Sequence, residues 1–380
     1  MEYEIHMKRT ETKPEQVDFF PDQLKLLNKH FQELMEGEKL QGAGYLLARG
    51  GKIFAHRALG KLRPVDSSRS LLPDSLMRIA SMTKLFTAVA VMQLVERGQI
   101  RSDQPVSEII DEFDHSLFDS ITIFHLLTHT SDLRPDPGVY FEPYPETWEW
   151  TKKENWIQEL LRGHTRVEPG KEWRYSSAGF LLLGEIVSRV SGKSYEEFVR
   201  GNIFEPLGLE DTHFIVPEDK LPRVCANYCE TDEELREKSA EWNKRDDGAP
   251  PGSTGAIYST LGDMYKFGQM ILNNGMYKGE RILSRKSVER MTRNQLEGVI
   301  DNCWENEDVE RDYGLGFRVQ NNFLLLTPGS ISHEGAGLSA LYLDPEEELV
   351  FVLFAPLKQG IDFEARAVFH PINIVWAGLK

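Results

Sequence analysis

A serine and a lysine stand three residues apart in Ser81-Met82-Thr83-Lys84, at the head of an apolar run that continues to Val95. On a helix, residues three apart share a face, so Lys84 would lie one turn along from Ser81 on the same side. A serine hydroxyl is a weak nucleophile until a neighbour accepts its proton. A lysine does this once burial disfavours its charged form, and the apolar helix supplies that burial. The helix N-terminus also favours negative charge developing near Ser81. The competing reading is structural: Ser81 as an ordinary helix N-cap, with Lys84 in solvent.

Two further stretches bear on the choice. "EPGKEWRYSSAGFLLLGE" sets Tyr175-Ser176-Ser177 just before a helix, and "SISHEGAGLSALYLD" sets His333-Glu334-Gly335-Ala336-Gly337 between two expected strands. With these three elements in order, the chain resembles the serine β-lactamase and penicillin-binding-protein superfamily, whose elements are S-x-x-K, S-D-N and K-T-G. The resemblance is to the class C β-lactamase-related branch, which includes family VIII esterases and D-aminopeptidases and carries Y-x-N or Y-x-S and H-x-G variants. It runs from about Gly42 to the C-terminus. "FHLLTHTSDL", "PGSTGAIYSTLGDMYKFGQMILNNG" and "YGLGF" add to it.

The resemblance implies Ser81 as the nucleophile that forms an acyl-enzyme, Lys84 as the group that accepts or shuttles its proton, and Tyr175 as a phenol exchanging protons with Ser81 and the leaving group. A phenol titrates near ~10, so this last role asks the nearby ammonium to favour phenolate, with the two groups titrating as a pair. The oxyanion hole would be the backbone N–H groups of Ser81 and Ala336. Gly335 would let the strand approach substrate closely. Ser177, His333 and Glu334 would contact substrate, Glu334 facing an amine if the substrate is a D-amino-acid amide.

Departures from the pattern bear on substrate. Ser177 stands where class C β-lactamases have Asn and lacks an amide that both donates and accepts. His333 stands where other branches have Lys and is mostly uncharged at neutral pH. Weak binding of an anionic β-lactam is therefore expected. Asp132 replaces the usual Gly of "THTSGL" and is expected at a turn, without a catalytic role. His125 and His129, four apart on an expected helix, lack the Glu that a metalloprotease motif places after the first His and are read as structural. Glu168 and Glu172 are read as solvated loop charges. Tyr140, Phe141, Tyr144, Trp148, Trp150 and Trp156 would form either an aromatic wall for an acyl group or packing within the helices.

These groups must be positioned by a chain of 380 residues, 40% hydrophobic and 27% charged, the composition of a globular protein with a sizeable core. A formal net charge of −16 argues against nucleic acid and anionic membranes as partners. The three cysteines, Cys225, Cys229 and Cys303, are too sparse for a disulfide framework and lack further zinc ligands at a suitable spacing. No cofactor or metal is expected. The N-terminus has no secretory h-region and no apolar run would span a bilayer, so a cytoplasmic location is expected.

Apolar spacing predicts a helix over 21–36, a hairpin turning at Gly50-Gly51, and a buried helix from Ser81 ending at Gly98. Residues 103–245 read as mainly helical. "YGLGFRVQ", "NFLLLTPG" and the two arms around Asp344-Pro345-Glu346 read as strands, and 364–379 as a closing helix. The expected fold is two-lobed and α/β (α+β). Residues 1–80 and 246–380 form an antiparallel sheet flanked by helices, and 81–245 form a mostly helical lobe with Ser81 at the interface. The expected activity is hydrolysis of a small ester or amide, first as a carboxylesterase, then as a D-amino-acid peptidase or amidase, then as a β-lactamase. A non-catalytic acyl-binding sensor and a purely structural helical protein are the alternatives of another class.

Overall fold

The computed structural model describes residues 3–63, 69–113, 115–136, 154–162, 167–225, 231, 233–237, 249–303, 309–320, 324–358 and 365–380. The aromatic candidates from Tyr140 to Trp150, Cys229 and most of the charged stretch 230–247 lie outside these residues.

A seven-stranded antiparallel sheet joins the two ends of the chain. Its strands are β1 (Ile5–Met7), β2 (Gly42–Arg49), β3 (Lys52–Gly60), β4 (Arg318–Gln320), β5 (Ser330–Gly335), β6 (Ser339–Asp344) and β7 (Leu349–Phe354). They lie in the order β1-β3-β2-β7-β6-β5-β4. The β2–β3 hairpin turns at Gly50 and Gly51, both left-handed, and the acidic turn after Asp344 joins β6 to β7. Short turns of this kind permit antiparallel pairing without crossovers.

Side chains alternate between the two faces of the sheet. On one face Tyr45, Leu47, Tyr342, Phe351 and Leu353 pack against α1 (Pro21–Glu36) and the C-terminal helix Ala365–Trp376. Helix α1 buries Leu24, Leu27, Phe31 and Leu34, the stripe its spacing implies. On the other face Leu46, Ala48, Ile331, Leu341, Leu343 and Val350 join one large core with α2 (Thr83–Glu96), α3 (Ser177–Ser191) and α4 (Leu261–Leu272). Every residue of α2 from Thr83 to Leu94 is buried, as its all-round apolar sequence requires, and Gly98 follows its end in the left-handed region. The segment 195–207 is helical throughout, with a π-helical stretch at Arg200–Phe204. Trp156 is buried in the same core, the packing alternative of the two open to it.

Two strand expectations are corrected. Within "YGLGFRVQ" only Arg318–Gln320 forms a strand, because the chain turns at left-handed Gly316 and Tyr313 folds back to bridge Arg318. "NFLLLTPG" is not a strand over its described residues: Leu324 and Leu326 fill the α1 face while Leu325 is exposed and its N–H donates to Asn373. The strand begins at Ser330, so His333, Glu334 and Gly335 lie inside β5 instead of between strands.

Candidate active site

Ser81 is not a helix cap. It sits in a short 3₁₀ turn, Ala80–Met82, that runs straight into α2, and no side chain caps that helix. Ala80 just before it is held at a φ of 45°, a left-handed conformation that costs an alanine energy and turns the chain sharply. The turn is tied to the sheet: the Ser339 hydroxyl donates to the Ile79 carbonyl at 2.9 Å, and the Ile79 N–H donates to Ile257 at 2.9 Å. Gly335 packs against the same carbonyl, where a Cβ would overlap it. These contacts hold the end of β5, and the exposed Ala336 that follows it, beside the Ser81 turn.

Lys84 is fully buried, one turn along from Ser81. Its Nζ donates to Ser81 Oγ at 3.3 Å, to Ser177 Oγ at 3.0 Å and to the Thr254 carbonyl at 3.3 Å. It also lies 4.7 Å from the centre of the Tyr175 ring. Burial pushes the amine down to about 8, against an upward pull from Asp136. The segment carrying Thr254 runs along α2, held by Thr87 donating to Ser253 and by the Ile257 N–H donating to Thr83.

Tyr175 closes the group. Burial, then Asp136 and Tyr313, push its phenol well above the ordinary value, while the Ser81 side chain acts the other way. Burial thus works against the phenolate that the expected role asks for and favours a protonated Tyr175 at neutral pH. Its ring stacks 4.4 Å from His129. His129 lies beyond the short helix Ile123–Leu127 and has left-handed backbone, so it shares no helix face with His125. Its Nδ1 accepts the Ser176 N–H at 3.0 Å, and burial holds it neutral. His125 serves locally, in a reciprocal cap with Thr122. The Tyr175 N–H donates to Cys303 Sγ at 3.0 Å.

Ser176 caps α3, its hydroxyl accepting the Gly179 N–H at 3.1 Å, so Ser177 opens the helix. The Ser177 hydroxyl lies between Lys84 and Asp136, donating to Asp136 Oδ2 at 2.7 Å, and its N–H donates to Asp136 Oδ1 at 2.5 Å. His333 is buried on the same face, its ring 6.4 Å from that of Tyr175. Its Nδ1–H donates to the Glu334 carbonyl at 2.8 Å, and burial and Lys84 push it down to about 4. At neutral pH it is an uncharged imidazole whose Nε2 is an acceptor.

The structure thus brings together Ser81, Lys84, Tyr175, Ser177, His333 and, through the Ile79 contact, Gly335 and Ala336. Glu334 is not brought in. As the neighbour of His333 in a strand it projects to the opposite face, where Tyr342 donates to it at 2.7 Å and Arg318 lies 3.7 Å away. Asp136, Thr254, His129 and Cys303 join the site without having been singled out for it. Only the acid between two prolines in "RPDPG" is a visible signal, and it is one loop carboxylate among many.

Asp132 has left-handed backbone, as a turn residue should, and a structural task besides. Its carboxylate takes Arg174 at 2.7 Å and the Val167 N–H at 2.8 Å, the two side chains being 4% and 9% exposed. Arg174 also holds Glu172 at 2.5 Å, so Glu172 is a paired, partly buried charge and not a solvated one. Removing Asp132 takes away one of the carboxylates that offset the buried Arg174, and the acceptor of the Val167 N–H. Asp132→Ala is expected to lower unfolding free energy by about 1–3 kcal/mol, read from urea denaturation. A loss under ~1 kcal/mol, the worth of a surface pair, would contradict a buried pair.

The family model for beta-lactamase matches residues 27–368. The chain belongs to the beta-lactamase family. It is a serine hydrolase of the beta-lactamase fold. Among its relatives, penicillin-binding protein 4* of Bacillus subtilis is 28% identical over 351 residues, covering 85% of this chain and 71% of that protein. Esterase EstB of Burkholderia gladioli is 33% identical over 205 residues, 50% of this chain and 52% of that protein. The crystal structure of a family VIII carboxylesterase superposes with a TM-score of 0.70 at 21% identity, covering 98% of this chain and 100% of that one, a likeness of fold. Within the beta-lactamase family framework, the mixed sheet-and-helix architecture is the expected one. Among the described residues no helix is long and apolar enough to cross a membrane, and no group of three or more His, Cys, Asp or Glu could hold a metal ion.

Proposed function

We propose that this beta-lactamase family member is a carboxylesterase acting on small esters through an acyl-Ser81 intermediate. The observation that carries it is the fully buried Lys84 amine, pushed down to about 8 and hydrogen-bonded to the hydroxyl of Ser81. Such an amine is a base near neutral pH, the condition a serine needs to attack a carbonyl.

Ser81 Oγ bonds to the acyl carbon while its proton passes to Lys84. The tetrahedral oxyanion is held by the backbone N–H groups of Ser81 and Ala336. Tyr175, protonated, gives its proton to the departing alkoxide and recovers one from Lys84 through the hydrogen-bonded set. Water then attacks the acyl-enzyme by the same steps in reverse. Uncharged His333 supports an ester over an anionic β-lactam, because it offers a substrate carboxylate no fixed cation. The likeness to esterase EstB and to the family VIII carboxylesterase supports the same choice.

The test is a rapid mix with p-nitrophenyl acetate. A burst of p-nitrophenol equal to the enzyme concentration is expected, followed by turnover, with one acetyl group on the Ser81 peptide after acid quench. Ser81→Ala should show neither. Equal hydrolysis by wild type and variant would refute the assignment. An adduct that never turns over would mark an acyl-binding protein instead of an esterase.

A further inference from the structure

A serine in place of an amide at the first turn of α3 creates a problem that Asp136 solves. The Ser177 hydroxyl has one proton and is free to rotate about its C–O bond. Turned toward Lys84, that proton would face the ammonium protons. In the structure it points away: Asp136 Oδ2 accepts it at 2.7 Å, which leaves a Ser177 lone pair for Lys84 Nζ at 3.0 Å. Asp136 is itself fixed. Its other oxygen takes the Ser177 N–H at 2.5 Å, and its own N–H donates to the Tyr175 carbonyl at 2.9 Å. A carboxylate on the first amide of a helix is also where the helix dipole favours negative charge.

We propose that Asp136 is a positioning residue of this active site: by clamping Ser177 it aims the serine hydroxyl to accept from Lys84, and its charge steadies the ammonium form of Lys84. This rests on the acyl-Ser81 reading, in which Lys84 acts as base. Ser177 then belongs to the proton machinery and does not contact substrate. The other titratable groups facing Lys84 supply no opposing charge at neutral pH. His129 and His333 are held neutral, and Tyr175 is held protonated. Arg311 and Arg318 stand further back, acting on His129, His333 and Tyr175. Asp136 is the group that pulls Lys84 upward.

The consequence is a pH dependence with a definite sign. The acidic limb of kcat/KM reports the loss of Lys84's proton in the free enzyme. Without the Asp136 charge the ammonium is less favoured, so the limb moves to lower pH. For Asp136→Asn we expect a downward shift of about one pH unit, in line with the loss of a nearby opposite charge. The Asn amide would also donate toward Ser177 and turn its hydroxyl around, so kcat should fall about tenfold while KM changes little. Ser177→Ala keeps the charge but removes the acceptor. It should lower kcat by a similar factor with a smaller shift of the limb.

The experiment is p-nitrophenyl acetate hydrolysis from pH 5 to 10 for wild type, Asp136→Asn and Ser177→Ala, with melting temperatures. A folded Asp136→Asn whose limb stays in place overturns the proposal, whatever its rate. So does an unchanged kcat in Ser177→Ala, which serves should Asp136→Asn fail to fold. Acid-quench detection of the acetyl-Ser81 peptide in wild type separates these outcomes from a failure of the underlying reading, since that adduct depends on neither Asp136 nor Ser177.

Discussion

Lys84→Met is expected to lower kcat/KM for a p-nitrophenyl ester by about 10³–10⁴-fold while leaving the protein at least as stable as wild type at pH 7. The two halves of this result have one cause. A methionine fills nearly the same volume in the core around α2, so packing is kept. The amine is lost, and with it the proposed acceptor for the Ser81 proton, bonded at 3.3 Å. Burying an ammonium costs several kcal/mol that its hydrogen bonds and Asp136 only partly offset, and the depressed Lys84 pKa registers that cost. The variant sheds this cost, and Asp136, already pushed up by burial, keeps its two hydrogen bonds from Ser177 and takes up a proton once the ammonium is gone.

The pH dependence of the stability difference is the sharper check. In the unfolded chain Lys84 keeps its proton up to its ordinary 10.5, whereas in the folded protein it does so only up to about 8. Between these values the unfolded state binds more protons, so wild-type stability rises with pH. Lys84→Met lacks this contribution, and its advantage should shrink between pH 8 and 10.5. Thermal melts of both proteins across that range measure it. A variant that melts well below wild type at pH 7 would make Lys84 a structural ion-pair partner and remove the reason to regard it as a base.

Much of this arrangement can be read from residue types, and what cannot is instructive. The S-x-x-K spacing places Ser81 and Lys84 on adjoining turns, and the apolar residues from Leu85 to Val95 say that the amine must be buried. The α1 stripe and the Gly50-Gly51 hairpin follow from period alone. Glu334 was within reach as well. Once "SISHEG" is taken as a strand, its period of two puts Glu334 behind the sheet whenever His333 faces the cleft. Reading the motif as a connection hid this. Asp136 was out of reach. Its role depends on a loop meeting the first turn of α3 41 residues later, at Ser177. No local pattern encodes such a meeting. The same holds for Thr254 and Cys303, which contribute a carbonyl and a thiol through chain segments distant in sequence. The departure at Ser177 looked like a weakened substrate contact. The structure shows a hydroxyl already engaged on both sides, so its meaning depends on a partner that was not visible.

Gly335→Ala is the substitution expected to do most damage for the fewest atoms. Gly335 is an ordinary strand residue, so backbone freedom is not the reason for glycine. Space is the reason: an added Cβ would overlap the Ile79 carbonyl oxygen and the Ser339 Oγ. The first belongs to the backbone of the turn that carries Ser81, and the second is the donor that ties this turn to β6 at 2.9 Å. Neither can move without shifting the other, so the methyl must push β5 away from the Ser81 turn. In the proposed mechanism the two oxyanion donors, Ser81 and Ala336, sit on the two sides of that contact. A displacement of about 1 Å between them costs on the order of 10² in rate, and complete loss of one donor about 10²–10³. We therefore expect kcat to fall by about 10²–10³-fold with a much smaller change in KM, because these donors act mainly on the transition state. Overpacking should cost about 1–3 kcal/mol of stability, leaving a folded protein. Acetyl-Ser81 should still form in Gly335→Ala, slowly and in full amount, since Ser81, Lys84 and Tyr175 are intact. Gly329→Ala supplies a comparison outside the site, at a left-handed position with open space around it, where strain lowers stability but the rate should hold. Stopped-flow acylation and thermal melts of both variants decide the matter: a Gly335→Ala enzyme with wild-type kcat would place the oxyanion donors somewhere other than the junction of β5 and the Ser81 turn.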